Sequence, residues 1–271
     1  MDELFEYLKG FYKHDLIPFF CPNCKKKSLT LKNDTWVEHD NAARFLGEDF
    51  FDPSEFNQIV FTGVFECRNA DCSSSIICSG TGKIEKKYET YLDKDGYPYA
   101  SETGDYLTKY IPQYIFPTVY FFEIPEEVSD QVRKALFSAF KLLPQSPSAA
   151  ANRTRTAVER ILDEFEIPQH INLKKRIDLN LGNSVRLKDY ADNFHALRWL
   201  GNSGSHEEDA IELESVKDAF EIIEDILKKL YPADNSLLGL KIQAINEGKG
   251  PLSYRKRREL QKQQKNSQIG K

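Results

Sequence analysis

Residues 59–78 read IVFTGVFECRNADCSSSIIC. β-Branched and aromatic residues fill both ends of this segment and polar turn formers separate them, a pattern that predicts strand, tight turn and strand. Cys67 and Cys72 flank the predicted turn. The segment therefore predicts a β-rich N-terminal part in which two cysteines share a tight loop.

A second cysteine pair precedes this segment. Cys21 and Cys24 flank a Pro-Asn dipeptide, so the chain carries one C-x2-C pair and one C-x4-C pair on two turns. A structural zinc ion needs four thiolates that converge as a tetrahedron, and each close pair supplies half of that set. We therefore predict a closed, structural zinc (Zn2+) site of Cys21, Cys24, Cys67 and Cys72 in a zinc-ribbon-like module.

Other assignments of the cysteines stay open. Cys67 and Cys72 could be strand-end thiols that bind no metal. Cys78 is expected to be a buried strand residue, although it could replace one of the four ligands. His14 and His39 are weaker alternatives. Five cysteines in a chain of 271 residues favour metal ligands or free thiols over disulfides in a reducing compartment.

A tyrosine-rich segment follows the second cysteine pair. Its eight tyrosines lie between residues 88 and 120, and Pro98, Pro112 and Pro117 interrupt it. Because proline cannot donate a hydrogen bond to a neighbouring strand, we expect an extended connection with few ladder hydrogen bonds.

From Pro125 onward, the apolar period becomes helical. Apolar residues with helical spacing predict antiparallel helices joined by short connections. The predicted fold class is α+β, in which a small β-rich zinc-ribbon-like module precedes an all-α antiparallel four-helix bundle. The predicted domains are residues 1–123, 124–233 and a basic, disordered tail, 234–271.

The formal net charge of −5 conceals an uneven distribution. From Lys241 onward the sequence contains nine basic residues and two glutamates, a local net charge of +7, so the preceding residues carry a net charge of about −12. Arg255, Lys256, Arg257 and Arg258 form a run that could neutralise nucleic-acid phosphates or could simply be solvated. The acidic start and the absence of a long apolar run predict a cytoplasmic protein without a membrane span.

The loop GNSGSH at residues 201–206 separates two of the predicted helices. Asn202 offers a donor and an acceptor, and His206 titrates near neutral pH, so the loop is a candidate ligand or catalytic site. Alternatively, Asn202 ends one helix, Ser205 caps the next, and His206 bonds to Glu159 across the bundle.

The helical part resembles the domain of unknown function 4145 family. Four pieces carry the resemblance: IPEEV at 124–128, SAAA at 148–151, RTAVE at 155–159, and LRWLGN at 197–202 followed by His206. The resemblance covers about two fifths of the chain. It implies a binding or assembly module of a bacterial or phage-related defence or restriction system, which contacts nucleic acid or a partner protein.

The same unit is distantly similar to the HEPN superfamily of helical bundles, many of which are metal-independent ribonucleases and commonly form homodimers. That resemblance implies His206 as general acid or base, beside Asn202, with Arg198 or Arg155 as the cation and Glu159 nearby. The chain departs from the superfamily pattern because Gly201 stands where an arginine is usual. A ribonuclease and a purely structural dimerisation unit are therefore the alternatives to a binding module.

Overall fold

The computed structural model describes residues 1–16, 19–24, 26–40, 59–203, 211–232 and 236–269. It is an α+β structure of seven strands and eight helices over those residues. The strands are β1 (Phe11–Tyr12), β2 (Phe19–Phe20), β3 (Lys27–Leu31), β4 (Val37–Asp40), β5 (Ile59–Cys67), β6 (Ser75–Leu92) and β7 (Pro98–Phe116). The helices are α1 (Asp2–Lys9), α2 (Asp130–Leu142), α3 (Pro147–Glu164), α4 (Leu173–Asn180), α5 (Ala191–Ser203), α6 (Leu213–Leu230), α7 (Ser236–Gly248) and α8 (Tyr254–Ile269).

The strands form one antiparallel sheet in the order β1-β7-β6-β5-β3-β2, and β4 also pairs with β5. Strand β5 alternates strictly, so Phe61 and Phe65 are buried while Val60 and Thr62 are exposed. Such alternation is typical of a sheet with one face in the core and one face in solvent. The sheet therefore has a buried inner face and an exposed outer face.

The core behind the inner face is aromatic. Phe5 of α1, Phe121, Phe140 of α2 and Phe220 of α6 are all at most 3% exposed. The Phe220 ring centroid lies 6.0 Å from that of Phe5, 5.7 Å from that of Phe121 and 5.3 Å from that of Phe140. Edge-to-face and tilted contacts of this kind stabilise a packed core beyond simple burial.

The architecture predicted from sequence is wrong. The cysteine pairs do not lie in a small separate zinc-ribbon-like module but in a seven-stranded sheet whose longest strand, β7, has 19 residues. The helical part does not form an all-α four-helix bundle, because α6 places Phe220 against α1 and residues 121–122 as well as α2. The physical reason is that these aromatic side chains bury one another in a core that α6 shares with a helix of the N-terminal part.

The tyrosine-rich segment is also different from the expectation. Strands β6 and β7 pair continuously from Ile77 opposite Phe116 to Leu92 opposite Pro98, with two register shifts. The segment is thus a long laddered hairpin and not a poorly laddered connection.

The helical periods expected after Pro125 appear as α2 to α6. The basic terminal segment, expected to be disordered, is helical in α7 and α8. Two compact units are distinguished, one of Met1–Glu123 with Ser129–Glu224 and one of Ile124–Val128 with Asp225–Lys271. The domain boundaries proposed from sequence stay predictions.

In the described part of the chain, none of the helices combines the length with the apolar character that a membrane crossing requires.

Candidate metal centre

Two tight turns at one end of the sheet carry the four predicted ligands. Cys21 and Cys24 belong to the turn between β2 and β3, Cys67 is the last residue of β5, and Cys72 belongs to the turn between β5 and β6. Because β3 pairs with β5 and places Leu29 opposite Cys67, the two turns lie side by side. Strand pairing therefore brings together two cysteine pairs that are more than forty residues apart.

The four sulfur atoms form a compact cluster. The Sγ atoms of Cys21 and Cys72 are 3.6 Å apart, as are those of Cys24 and Cys67. All four lie within 4.8 Å of one another. A tetrahedron with zinc-sulfur bonds of about 2.3 Å has sulfur-sulfur edges of about 3.8 Å, so the cluster fits one ion of that size.

Neighbouring polar groups stabilise thiolates in this cluster. The Ser74 hydroxyl lies 3.2 Å from Cys72 Sγ, and Asn23 Nδ2 donates to the same sulfur at 3.4 Å. The Ser74 contact is the largest cause that lowers the pKa of Cys72 to about 6. Burial raises the pKa of Cys21 to about 11. A cation within reach of all four sulfurs would favour the thiolate form of each, including the buried one.

The donor set of the cluster is sulfur alone within the part of the chain that the structure describes. No histidine or carboxylate there joins the four sulfurs, and such a donor set is typical of a closed structural metal site and not of a catalytic one with an open position. Cys78 lies outside the cluster on β6, where it is 4% exposed and burial raises its pKa to about 12. His14 and His39 are not members either.

The second candidate site is only partly described. Arg155 Nη2 of α3 lies 3.3 Å from Glu159 Oε1, one turn away. Arg198 of α5 is 7% exposed, and its guanidinium lies 4.0 Å from the centroid of the Trp199 ring. Helix α5 continues through Asn202, so this residue lies in its last turn and not in a loop.

The structure thus joins Arg155 and Glu159. His206 lies outside the described residues, so its predicted partners stay a prediction. Sequence reasoning missed Arg176, whose Nη2 binds Asp163 Oδ1 at 2.9 Å and the Ile167 carbonyl at 2.6 Å. Its side chain is 5% exposed, and only its place on the helix face beside Ile177 could have suggested burial.

Two family models match the chain. Residues 9–115, which include all four clustered cysteines, match the model described as Domain of unknown function (DUF8608). No curated protein and no solved structure matches the chain. The resemblance noted in the helical part is confirmed, because residues 137–265, from α2 into α8, match the family Domain of unknown function (DUF4145).

Proposed function

We propose that this protein is a non-catalytic binding module, stabilised by one structural zinc ion, that engages nucleic acid through α8. The observation that carries the proposal is an exposed basic stripe on that helix. Two features of the chain support it, the sulfur cluster and the surface of α8.

Zinc suits the sulfur cluster better than other common cations. Thiolate ligands select soft or borderline metals such as zinc over magnesium or calcium, which prefer oxygen. Four thiolates within 4.8 Å of one another fill a tetrahedral shell. No position is then left for a substrate, so the metal supports the fold and not a reaction.

The basic stripe is defined by Arg255, Arg258 and Lys262. At about 100° per residue, these three positions lie on one face of α8, and all three are exposed. Leu260 projects from the opposite side and is 4% exposed. The buried leucine therefore fixes which face packs on protein and leaves the cations in solvent, where phosphates can reach them.

Two further cations add positive charge to α8. Lys256 and Arg257 are exposed on the side of the helix that carries Leu260, and within α8 only Glu259 carries negative charge, with its Oε1 3.2 Å from Arg255 Nε. Tyr254 is 75% exposed, and the Arg258 guanidinium lies 5.8 Å from its ring centroid. An aromatic ring among cations is the combination that binds backbone phosphates and stacks on an unpaired base.

From the resemblance of the helical part to the DUF4145 family, we further propose that this module works in a bacterial or phage-related defence or restriction system. Expression of the chain with its neighbouring genes should then lower the plating efficiency of phage. Unchanged plating would contradict the defence role and would not bear on the binding of nucleic acid by α8.

The binding proposal is tested by the salt dependence of affinity. Each phosphate contact contributes about 0.9 to the slope of log K against log salt on duplex DNA. The triple variant Arg255→Gln, Arg258→Gln, Lys262→Gln should therefore reduce the slope by about 3 and weaken binding at least tenfold. Fluorescence anisotropy with labelled single-stranded and duplex oligonucleotides measures both quantities.

A matched control removes the same charge from other surfaces. Arg153, Lys175 and Lys188 are exposed on the helical part, and their triple glutamine variant should keep the slope of the wild type. Equal losses in both triple variants would indicate a general charge effect and contradict a site on α8. Absence of salt-dependent binding in the wild type would also contradict a nucleic-acid site on α8.

A further inference from the structure

The hairpin of β6 and β7 extends well beyond the rest of the sheet. Strand β5 pairs with β6 only as far as Gly82, and β1 pairs with β7 only at Lys109 and Tyr110. Residues 83–108, here called the ribbon, pair only within the hairpin among the described strands. Ten residues of strand span about 34 Å, and a two-stranded ribbon is only marginally stable by itself in water.

The ribbon exposes large apolar side chains on both of its faces, with Tyr88 and Leu92 on one face and the cross-strand pair Tyr91 and Tyr99 on the other. These are 42–70% exposed: Tyr88, Tyr91, Leu92, Tyr97, Tyr99 and Tyr106. Four lysines and six acidic residues give the ribbon a formal charge of −2. Because base stacking on nucleic acid needs a basic surface around the rings, this composition favours a protein surface as the partner.

The outer face of the sheet is a second exposed apolar surface. Val37 is paired with Thr62, Thr62 with Ser79, and Ser79 with Tyr114, so these residues form one row across four strands.

The next row consists of Val64, Ile77 and Phe116. The Tyr114 and Phe116 rings are parallel, with centroids 6.5 Å apart. Neither row contains a charged residue, and Val37, Ile77, Tyr114 and Phe116 are 45–61% exposed. This outer face therefore presents an uncharged surface to which a protein can dock.

We propose that the protein forms a two-fold symmetric dimer in which the ribbon of each copy lies across the outer face of the other. In a two-fold symmetric dimer the same contact occurs twice, so the ribbon and the outer face of both copies are all covered. The ribbon is long enough, since four strands about 4.8 Å apart span only about 15 Å between their axes.

The area fits a stable dimer. Aromatic side chains bury about 150–250 Å² each when fully covered, so half-exposed rings on both surfaces of both copies bury on the order of 1,500 Å². Stable interfaces bury about 1,200–2,000 Å². The lack of net charge on the outer face and the near-neutral ribbon remove the repulsion that identical copies usually have to overcome.

Sedimentation velocity of the full-length, zinc-containing protein across the micromolar range tests the proposal. The wild type should sediment as a dimer. The ribbon variant Tyr91→Thr, Tyr99→Thr, which removes a cross-strand pair from one face of the ribbon, and the face variant Ile77→Thr, Tyr114→Thr should each raise the dimer dissociation constant at least tenfold. Threonine suits strands, and an unchanged far-UV spectrum and zinc content would show that each variant is folded.

The matched control is Ile171→Thr, Val185→Thr. These side chains are 83% and 87% exposed on the helical part, and their loss should leave the dimer intact. The glutamine variant of the α8 stripe should also remain dimeric, so failure of the dimer and failure of nucleic-acid binding are distinguishable.

A photo-crosslinking amino acid at position 97, the ribbon tip, locates the contact. Crosslinks between copies should map to peptides that contain residues 60–64, 77–81 or 114–116. A monomeric wild type, a dimer that neither variant weakens, or crosslinks that map elsewhere would overturn the proposal.

Discussion

Gly201 of α5 packs directly on Arg155 of α3. A Cβ atom at position 201 would lie 2.5 Å from Arg155 Cβ, which is closer than real Cβ contacts allow, and 3.1 Å from Arg155 Cδ, which is tighter than most. The glycine thus lets α5 approach α3. It also explains why the chain has no arginine at this position, because a long side chain has no room between the two helices.

We expect Gly201→Ala to destabilise the protein by about 1–2 kcal/mol, although alanine favours a helix over glycine by up to about 1 kcal/mol. The overlap with Arg155 forces the helices apart. Gly182→Ala is the control, since no atom lies within 4 Å of a Cβ there. Thermal unfolding should separate the two variants by several degrees, and equal melting temperatures would contradict close packing at Gly201.

We expect purified protein to contain about one zinc ion per chain by elemental analysis. Cys72→Ser should abolish this content, because three sulfurs leave an incomplete shell, and a strong chelator should lower the melting temperature of the wild type. Cys78→Ala is the control, since this buried thiol lies outside the cluster. Zinc content lost from the control and kept by the Cys72 variant would refute the ligand assignment.

Arg176→Met should destabilise the protein by about 1–3 kcal/mol, because it leaves the Ile167 carbonyl without its buried donor. It also removes one of the donors to Asp163, which keeps Gln169 at 2.6 Å and Arg160 at 3.0 Å. Arg160→Met is the control. Arg160 Nη1 also binds Asp163, at 3.0 Å, but its side chain is 44% exposed, so its loss should cost less than about 1 kcal/mol. Urea unfolding of both variants gives the comparison, and equal costs would be the contrary result.

The contribution of Arg176 to the free energy of unfolding should depend on pH. Burial raises the pKa of Asp163, but the hydrogen bonds and charges of Arg176 and Arg160 outweigh it, so the pKa lies below its ordinary value near 3.8. Because the folded-state pKa is lowered, the stabilisation is complete above that ordinary value and is lost as pH falls through the folded-state pKa. The difference between wild type and Arg176→Met should therefore shrink in acid, and a difference that is constant with pH would argue against this carboxylate.

We expect no ribonuclease activity, either from the wild type or from His206→Ala. Arg198 is 7% exposed, and the Arg155 side chain is only 29% exposed, whereas Arg255 of the α8 stripe is 91% exposed, so neither Arg198 nor Arg155 is open enough to reach a substrate phosphate. RNA integrity after expression, measured by electrophoresis, tests this. RNA decay that disappears with His206→Ala but not with His195→Ala would instead establish catalysis.

Some features follow from local sequence alone. The sequence correctly places the two cysteines of each pair close together, because each pair spans one tight turn and a tight turn is specified by few residues. The helices after Pro125 were found because a repeat of 3.6 residues and flanking breakers act within one segment.

The β6–β7 hairpin shows where local rules misled. Its prolines occupy the places that a ladder tolerates: Pro98 begins β7, Pro112 lies at a register shift opposite Gly80, and Pro117 follows the last residue of the strand. The signal that would have predicted the hairpin is Asp95-Gly96, where Gly96 has a φ of 84°.

Only the tertiary structure decided which distant segments meet. The pairing of β3 with β5 joins the cysteine turns, and Phe220 joins α6 to α1 and the aromatic core. Local sequence determines backbone conformation over a turn or two, whereas the choice of strand and helix partners depends on which apolar faces can be buried together. For this reason the structure is a seven-stranded sheet whose aromatic core contains residues of α1, α2 and α6, and not the expected zinc-ribbon-like module followed by a four-helix bundle.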